Sequence, residues 1–248
     1  HDPKYNYLYE SEPEPFMHNR TMFCPRGKML GGRSSHNGRV HVRGNAKAFD
    51  NWGQLGLTDW TYDKVLPYFK KSESIEGLDS NFRGESGPLK LSRSPNGNIL
   101  SQVYLNAAQQ AGYQINNDMN GERQEGFGLM DTTIFNGKRQ STSVTYLHPI
   151  KHRSNLEILT NVTVNKILFE GKKAVGVECK ANGENKKYFS SKEVLLSAGA
   201  INSPQLLMLS GIGPENELSK YSIEPVECLE GVGKNLQDHL ETYVQYKC

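Results

Sequence analysis

The sequence lacks long apolar runs. No stretch reaches the roughly eighteen consecutive apolar residues that a spanning helix needs, so no transmembrane segment is expected within these 248 residues. Concentrated positive charge is also missing. Lys and Arg number 29 against 27 Asp and Glu, a net charge of +2, and the basic runs are no longer than pairs such as Lys70-Lys71 and Lys186-Lys187. Nucleic-acid recognition needs a basic face, so no nucleic-acid partner is expected and both pairs read as solvated surface. Cysteine is scarce. Cys24, Cys179, Cys228 and Cys248 fit neither a zinc spacing nor a CxxC pair, which leaves free, mostly buried thiols and no metal site. The opening residues His1 to Tyr9 are polar and aromatic and match neither a signal nor a transit peptide. No G-x-G-x-x-G follows a strand near the N-terminus, so the usual pyrophosphate loop of a dinucleotide domain is not found.

What is present is an ordinary globular balance, 36% hydrophobic and 23% charged, long enough for one large domain or two small ones. The mean hydropathy of −0.64 is rather polar and suits a chain cut from a larger core. Short helices are expected over Ala46 to Leu55 and Tyr62 to Ser72, with Pro67 ending or kinking the second. A long Gly-, Ser- and Pro-rich loop over 77 to 97 carries one short strand, Pro88 to Ser92. Helical spacing of Ile99, Leu100, Val103, Leu105, Ala107 and Ala108 predicts a helix from Ile99 to Ala111, stopped by Gly112. From Asn155 the texture changes to strands: Leu156 to Leu159, Val162 to Phe169 and Lys173 to Lys180. Asn182-Gly183 then signals a hairpin into Lys187 to Ser190. Lys192 to Ala198 reads as a buried strand, followed by a helix capped by Ser203, opened by Pro204 and ended by Gly211. Pattern alone supports a mixed α/β or α+β fold.

Two segments carry chemistry. The first runs from Pro25 to Gly38, with glycines at 27, 31, 32 and 38 among Arg26, Lys28 and Arg33. Such glycines let backbone N–H groups approach a ligand, and the charges favour an anion; a plain tight turn would have the same composition. The second runs from Leu196 to Gly213: a strand ends in small residues and turns into a helix. Ligands sit at such strand ends in open α/β sheets, though an ordinary strand–turn–helix packing unit reads the same way.

Together these two segments resemble the two signatures of the glucose–methanol–choline (GMC) oxidoreductases. Gly231-Val232-Gly233-Lys234-Asn235-Leu236-Gln237-Asp238-His239 is similar to a third family segment, in the same order. Further stretches resemble the family's choline-oxidising members: Trp60 to Phe69, Gly84 to Leu89, Asp118 to Gly121, Gln124 to Gly128, Gly137-Lys138-Arg139 and Tyr146-Leu147-His148-Pro149. The resemblance covers essentially the whole chain. It implies an incomplete FAD-binding flavoprotein domain with part of a substrate-side domain. The implied segments are 1–45 (FAD-binding, with the flavin loop), 46–150 (substrate side), 151–235 (FAD-binding) and 236–248 (start of the substrate-binding domain).

The resemblance also implies a cofactor, FAD, and a reaction, hydride transfer from an alcohol to the flavin. Choline to betaine aldehyde is the first substrate expected, with an electron acceptor not identified. Met29, Gly31, Gly32, His36, Asn37, Gly38, Arg39 and Val40 would form the loop against the flavin. Val162 would hold the adenine through its backbone, Ala198 and Gly199 would line the dinucleotide site, and Asp238 and His239 would lie on the flavin's other side. Two residues depart from the family pattern, which usually has a small residue at Arg33 and an apolar one at His36. In one family member a histidine matching His36 is joined covalently to the flavin; a histidine that merely hydrogen-bonds within the loop is the plainer expectation. The seven histidines are His1, His18, His36, His41, His148, His152 and His239, and none matches the family's catalytic histidine, so no catalytic residue is assigned and these 248 residues alone are expected to be inactive. A flavin-containing lyase of the same family and a non-catalytic truncated remnant are the alternatives. A choline-oxidising member would belong in mitochondria; other members are secreted.

Overall fold

The computed structural model describes residues 2–93, 98–245 and 247. His1, Cys248 and the last four residues of the loop expected over 77 to 97 lie outside them. The chain divides into two units, residues 1–157 and 158–248.

Among its described residues the first unit holds only short strands. Tyr9–Glu10 pairs with Phe23–Cys24, and Val40–His41 and Ser92–Arg93 flank Asp131–Thr132 in a three-stranded antiparallel sheet. Ile134–Phe135 and Lys138–Arg139 form a hairpin whose turn residues Asn136 and Gly137 both have positive φ, +48° and +71°. Helix α1 (Ala46–Gln54) starts where Asn45 Oδ1 accepts from Lys47 N at 3.0 Å. Its Phe49 meets Trp52, and Phe69 of α2 (Tyr62–Ser72), edge-on at 5.3 and 5.5 Å. These rings pack against one another at the surface, while Ile75 and Leu91 are the larger apolar side chains buried in the unit. Helix α3 (Ile99–Gln110) forms over the expected span, capped by Asn98, but its apolar residues are not covered: Ile99 is 77% exposed and only Ala108 is buried.

The centre of this unit is ionic. Arg83, Glu73 and Asp131 are sealed from water, and Arg43 and His41 join them on Glu73. Removing so many charges from water is costly unless every one is paired. Here Arg83 reaches three carboxylates, Glu73, Asp118 and Asp131.

The second unit is an antiparallel meander, Val162–Glu170, Lys173–Ala181 and Glu184–Phe189, packed by α4 (Gly199–Leu209). The expected hairpin at Asn182-Gly183 is present, with φ +52° and +85°, a conformation that Asn and Gly reach most readily. Ser210 stitches helix to sheet: its buried hydroxyl accepts from Ile167 N at 2.8 Å and donates to Leu206 O at 2.6 Å. Gly211, φ +89°, ends the helix as expected. A short helix α5 (Glu215–Lys220) and a parallel bridge, Ile212–Gly213 with Glu227–Cys228, follow.

Several expectations are corrected. Leu156–Leu159 and Lys192–Ala198 are not strands, and Leu195 is 80% exposed. A strand exists only with a partner to complete its ladder, and apolar pattern does not supply one. Pro67 does not end α2, and Pro204 lies inside α4 rather than opening it. In each helix the proline costs one bond, to the carbonyl of Asp63 or Ala200 in the first turn, and the remaining ladder continues. Ser203 is not the N-cap; α4 starts at Gly199, and Ser203 Oγ accepts from Ala198 N at 3.1 Å.

Candidate cofactor site

The loop from Gly27 to Val40 is shaped by close backbone approach. A Cβ on Gly27 would come within 2.9 Å of Arg33 N and nearer still to the Gly32 carbonyl, so only glycine fits. Gly31 at φ +86° opens a single 3-10 turn, Gly32–Ser35. Gly38 stands in open space, where a Cβ would meet nothing within 4 Å.

Residues about a hundred positions away hold this loop. Arg139 Nη1 donates toward Ser34 O at 3.1 Å, Asn37 O at 3.0 Å and Asn37 Oδ1 at 2.9 Å. Thr142 N donates to Ser34 Oγ at 2.9 Å, and Thr133 N to Arg39 O at 2.8 Å. Asn37 Oδ1 also accepts from Arg39 N at 3.2 Å, which helps hold Arg39 at φ +69°. A π turn, Ser143–Leu147, follows Thr142 directly.

His36 sits at the centre of the loop. Arg33 Nη1 lies 3.3 Å from His36 Nδ1. Arginine only donates, so Nδ1 accepts and the imidazole proton is on Nε2. That Nε2 is buried with no hydrogen-bond partner, as is Thr145 Oγ1 of the π turn. Burial, then the charges of Arg33 and Arg139, hold the imidazole below its ordinary pKa against one opposing backbone hydrogen bond. A cavity of about 390 Å³ opens beside it, walled by Tyr5, Phe23, Pro25, Met29, Arg33 and His36 among others.

The structure gathers Met29, Gly31, Gly32, His36, Asn37, Gly38, Arg39 and Val40 into this one loop, Val40 entering the sheet through Thr132. The remaining candidates belong to the second unit. Val162 begins the meander, after Asn161 at φ +56°. Ala198 and Gly199 form the start of α4, with Gly199 at φ +90° in open space. Asp238 and His239 are exposed and outside helix and strand, joined by His239 N donating to Asp238 Oδ1 at 2.8 Å. Sequence reading missed the loop's holders, Arg139, Thr142 and Thr133. Asn136-Gly137 carried a usable signal, the same hairpin pair as Asn182-Gly183, which places Arg139 on a strand rather than on solvated surface.

The residues present suit FAD: glycine backbone that a flat group can approach, and an adjoining cavity lined by Met29, Arg33 and His36. Comparison with known proteins agrees. The model of the GMC oxidoreductases matches residues 6–241, and the chain belongs to this family of FAD-binding oxidoreductases. It is 50% identical over 248 residues, all of this chain, to mitochondrial choline dehydrogenase of Mus musculus, covering 41% of that protein. It is 47% identical over 244 residues, 98% of this chain, to the oxygen-dependent choline dehydrogenase of Brucella melitensis, covering 44% of it. Among solved structures, an FAD-dependent oxidoreductase from Chaetomium thermophilum superposes with a TM-score of 0.88 at 33% identity, over 94% of this chain and 43% of that one. The chain thus spans less than half the length of the relatives it matches.

Proposed function

We propose that the full-length protein is an FAD-dependent oxidoreductase acting on the CH–OH group of an alcohol, with choline as the first substrate and betaine aldehyde as the product. The observation that carries this reading is the glycine loop at 27–40, held through its carbonyls by Arg139 and bordering a cavity that Met29, Arg33 and His36 help to line. FAD, when bound, supplies the acceptor for the hydride that leaves the alcohol carbon as its hydroxyl proton is removed. The role proposed for this chain's residues is holding and orienting. Met29, Gly31, Gly32 and Asn37 to Val40 of the first unit are proposed to face the cofactor, and Val162, Ala198, Gly199, Asp238 and His239 of the second unit are proposed as further contacts to it. The hydroxyl proton passes to a base that is not assigned among these 248 residues, so these residues alone are expected to be inactive.

The test is steady-state turnover of full-length protein with an artificial electron acceptor. Choline-dependent dye reduction supports the reading. Release of cyanide from mandelonitrile without dye reduction would replace it with lyase chemistry on the same fold.

A further inference from the structure

Loop-side residues usually hold a cofactor through their own atoms. Here one distant side chain holds the loop. Ser34 O and Asn37 O bracket Ser35 and His36, and both accept from the same nitrogen, Arg139 Nη1, at 3.1 and 3.0 Å across 105 and 102 residues of sequence. That nitrogen carries two hydrogens and faces three acceptors, Asn37 Oδ1 being the third, so its bonds are shared and its position is over-determined. The hairpin that carries Arg139 is tied to the loop again through Thr133 N to Arg39 O at 2.8 Å. The segment on which His36 rides is therefore fixed at both ends by one guanidinium.

The imidazole is fixed in a second respect. Arg33, which can only donate, occupies Nδ1 and leaves the proton on Nε2. Among the described residues the Nε2–H has no acceptor.

Resting on the proposed FAD site, we propose that Arg139 is the positioning residue of that site: it grips the carbonyls on both sides of His36 and so holds the imidazole in the wall of the cavity that the cofactor would enter. Arg139 itself does not touch the cofactor. A lysine there would keep the charge but not the planar reach to separate acceptors.

The test uses full-length protein in wild-type, Arg139→Gln, Arg139→Lys, His36→Phe and Arg139→Gln/His36→Phe forms. FAD dissociation constants are measured by flavin fluorescence, and thermal midpoints are taken on FAD-stripped protein. Arg139→Gln should weaken FAD binding roughly 10- to 100-fold, the factor expected when a charge-assisted hydrogen bond is lost. Added guanidinium ion should restore part of it, and the midpoint of the stripped protein should barely move. If Arg139 acts through His36, the double variant should bind FAD little worse than His36→Phe alone. Strictly additive losses would overturn the proposal, as would a lower midpoint with FAD affinity unchanged, which marks a merely structural arginine. Should Arg139→Gln fail to fold, Arg139→Lys decides on the same readouts. A folded wild type that binds no FAD would instead sink the FAD-site reading on which the inference stands.

Discussion

Arg83 Nε donates to Glu73 Oε1 at 2.8 Å, with the two side chains 0% and 1% exposed. This pair is the hinge of the ion cluster of the first unit, since His41, in the strand that continues the glycine loop, also lies on Glu73, Nε2 to Oε2 at 3.1 Å. Breaking a buried pair leaves the other charge stranded, so Glu73→Gln should destabilise the protein by about 3–5 kcal/mol. Urea midpoints of full-length protein check this; a loss below about 1 kcal/mol would mean the cluster relaxes into water.

The same carboxylate sets an acid limit. Burial alone would raise its pKa, but hydrogen bonds from His41 and Arg83 and the charges of Arg43 and Arg83 outweigh it and bring it from 4.5 to about 2. A depressed carboxylate stabilises the fold above its unfolded pKa and loses that contribution as pH falls through the folded one. The contribution, about 3 kcal/mol, should be fully present above pH 4.5 and decline toward pH 2. Stability measured against pH should fall in that window for wild type and be flatter for Glu73→Gln.

In the glycine loop, Gly27→Ala and Gly32→Ala should separate space from backbone angle. At Gly27 a Cβ strikes the Gly32 carbonyl, so the loop must shift and FAD affinity should drop at least tenfold. At Gly32 the Cβ meets no protein atom, and the penalty within the protein is the φ of +50°, about 1 kcal/mol. Flavin fluorescence titration with both variants checks the order.

Ser210→Ala removes the acceptor of Ile167 N, which lies on a buried residue. A cost of about 1–3 kcal/mol is expected, read as a lower thermal midpoint, with Ser210→Thr milder where its methyl can be accommodated.

The elements that sequence reading found are those specified locally. Asn45 caps α1, positive φ at Asn182 and Gly183 turns the hairpin, and Gly211 stops α4; each is a property of one or two residues. The strands expected at Leu156–Leu159 and Lys192–Ala198 failed because pairing is not local. The glycine loop was recognisable through resemblance, and close approach at Gly27 and positive φ at Gly31 and Gly32 account for three of its glycines. Its anchor was not, because nothing about Arg139 alone reveals that Ser34 and Asn37 lie against it. Arg83 likewise reads as an ordinary surface charge until Glu73, Asp118 and Asp131 surround it.

The most direct measurement is the visible spectrum of purified full-length protein, recorded anaerobically before and after adding choline. The account predicts a flavin absorption band that bleaches with choline. A band that choline leaves untouched would contradict the substrate, and a folded protein with no flavin band would contradict the FAD-dependent oxidoreductase itself.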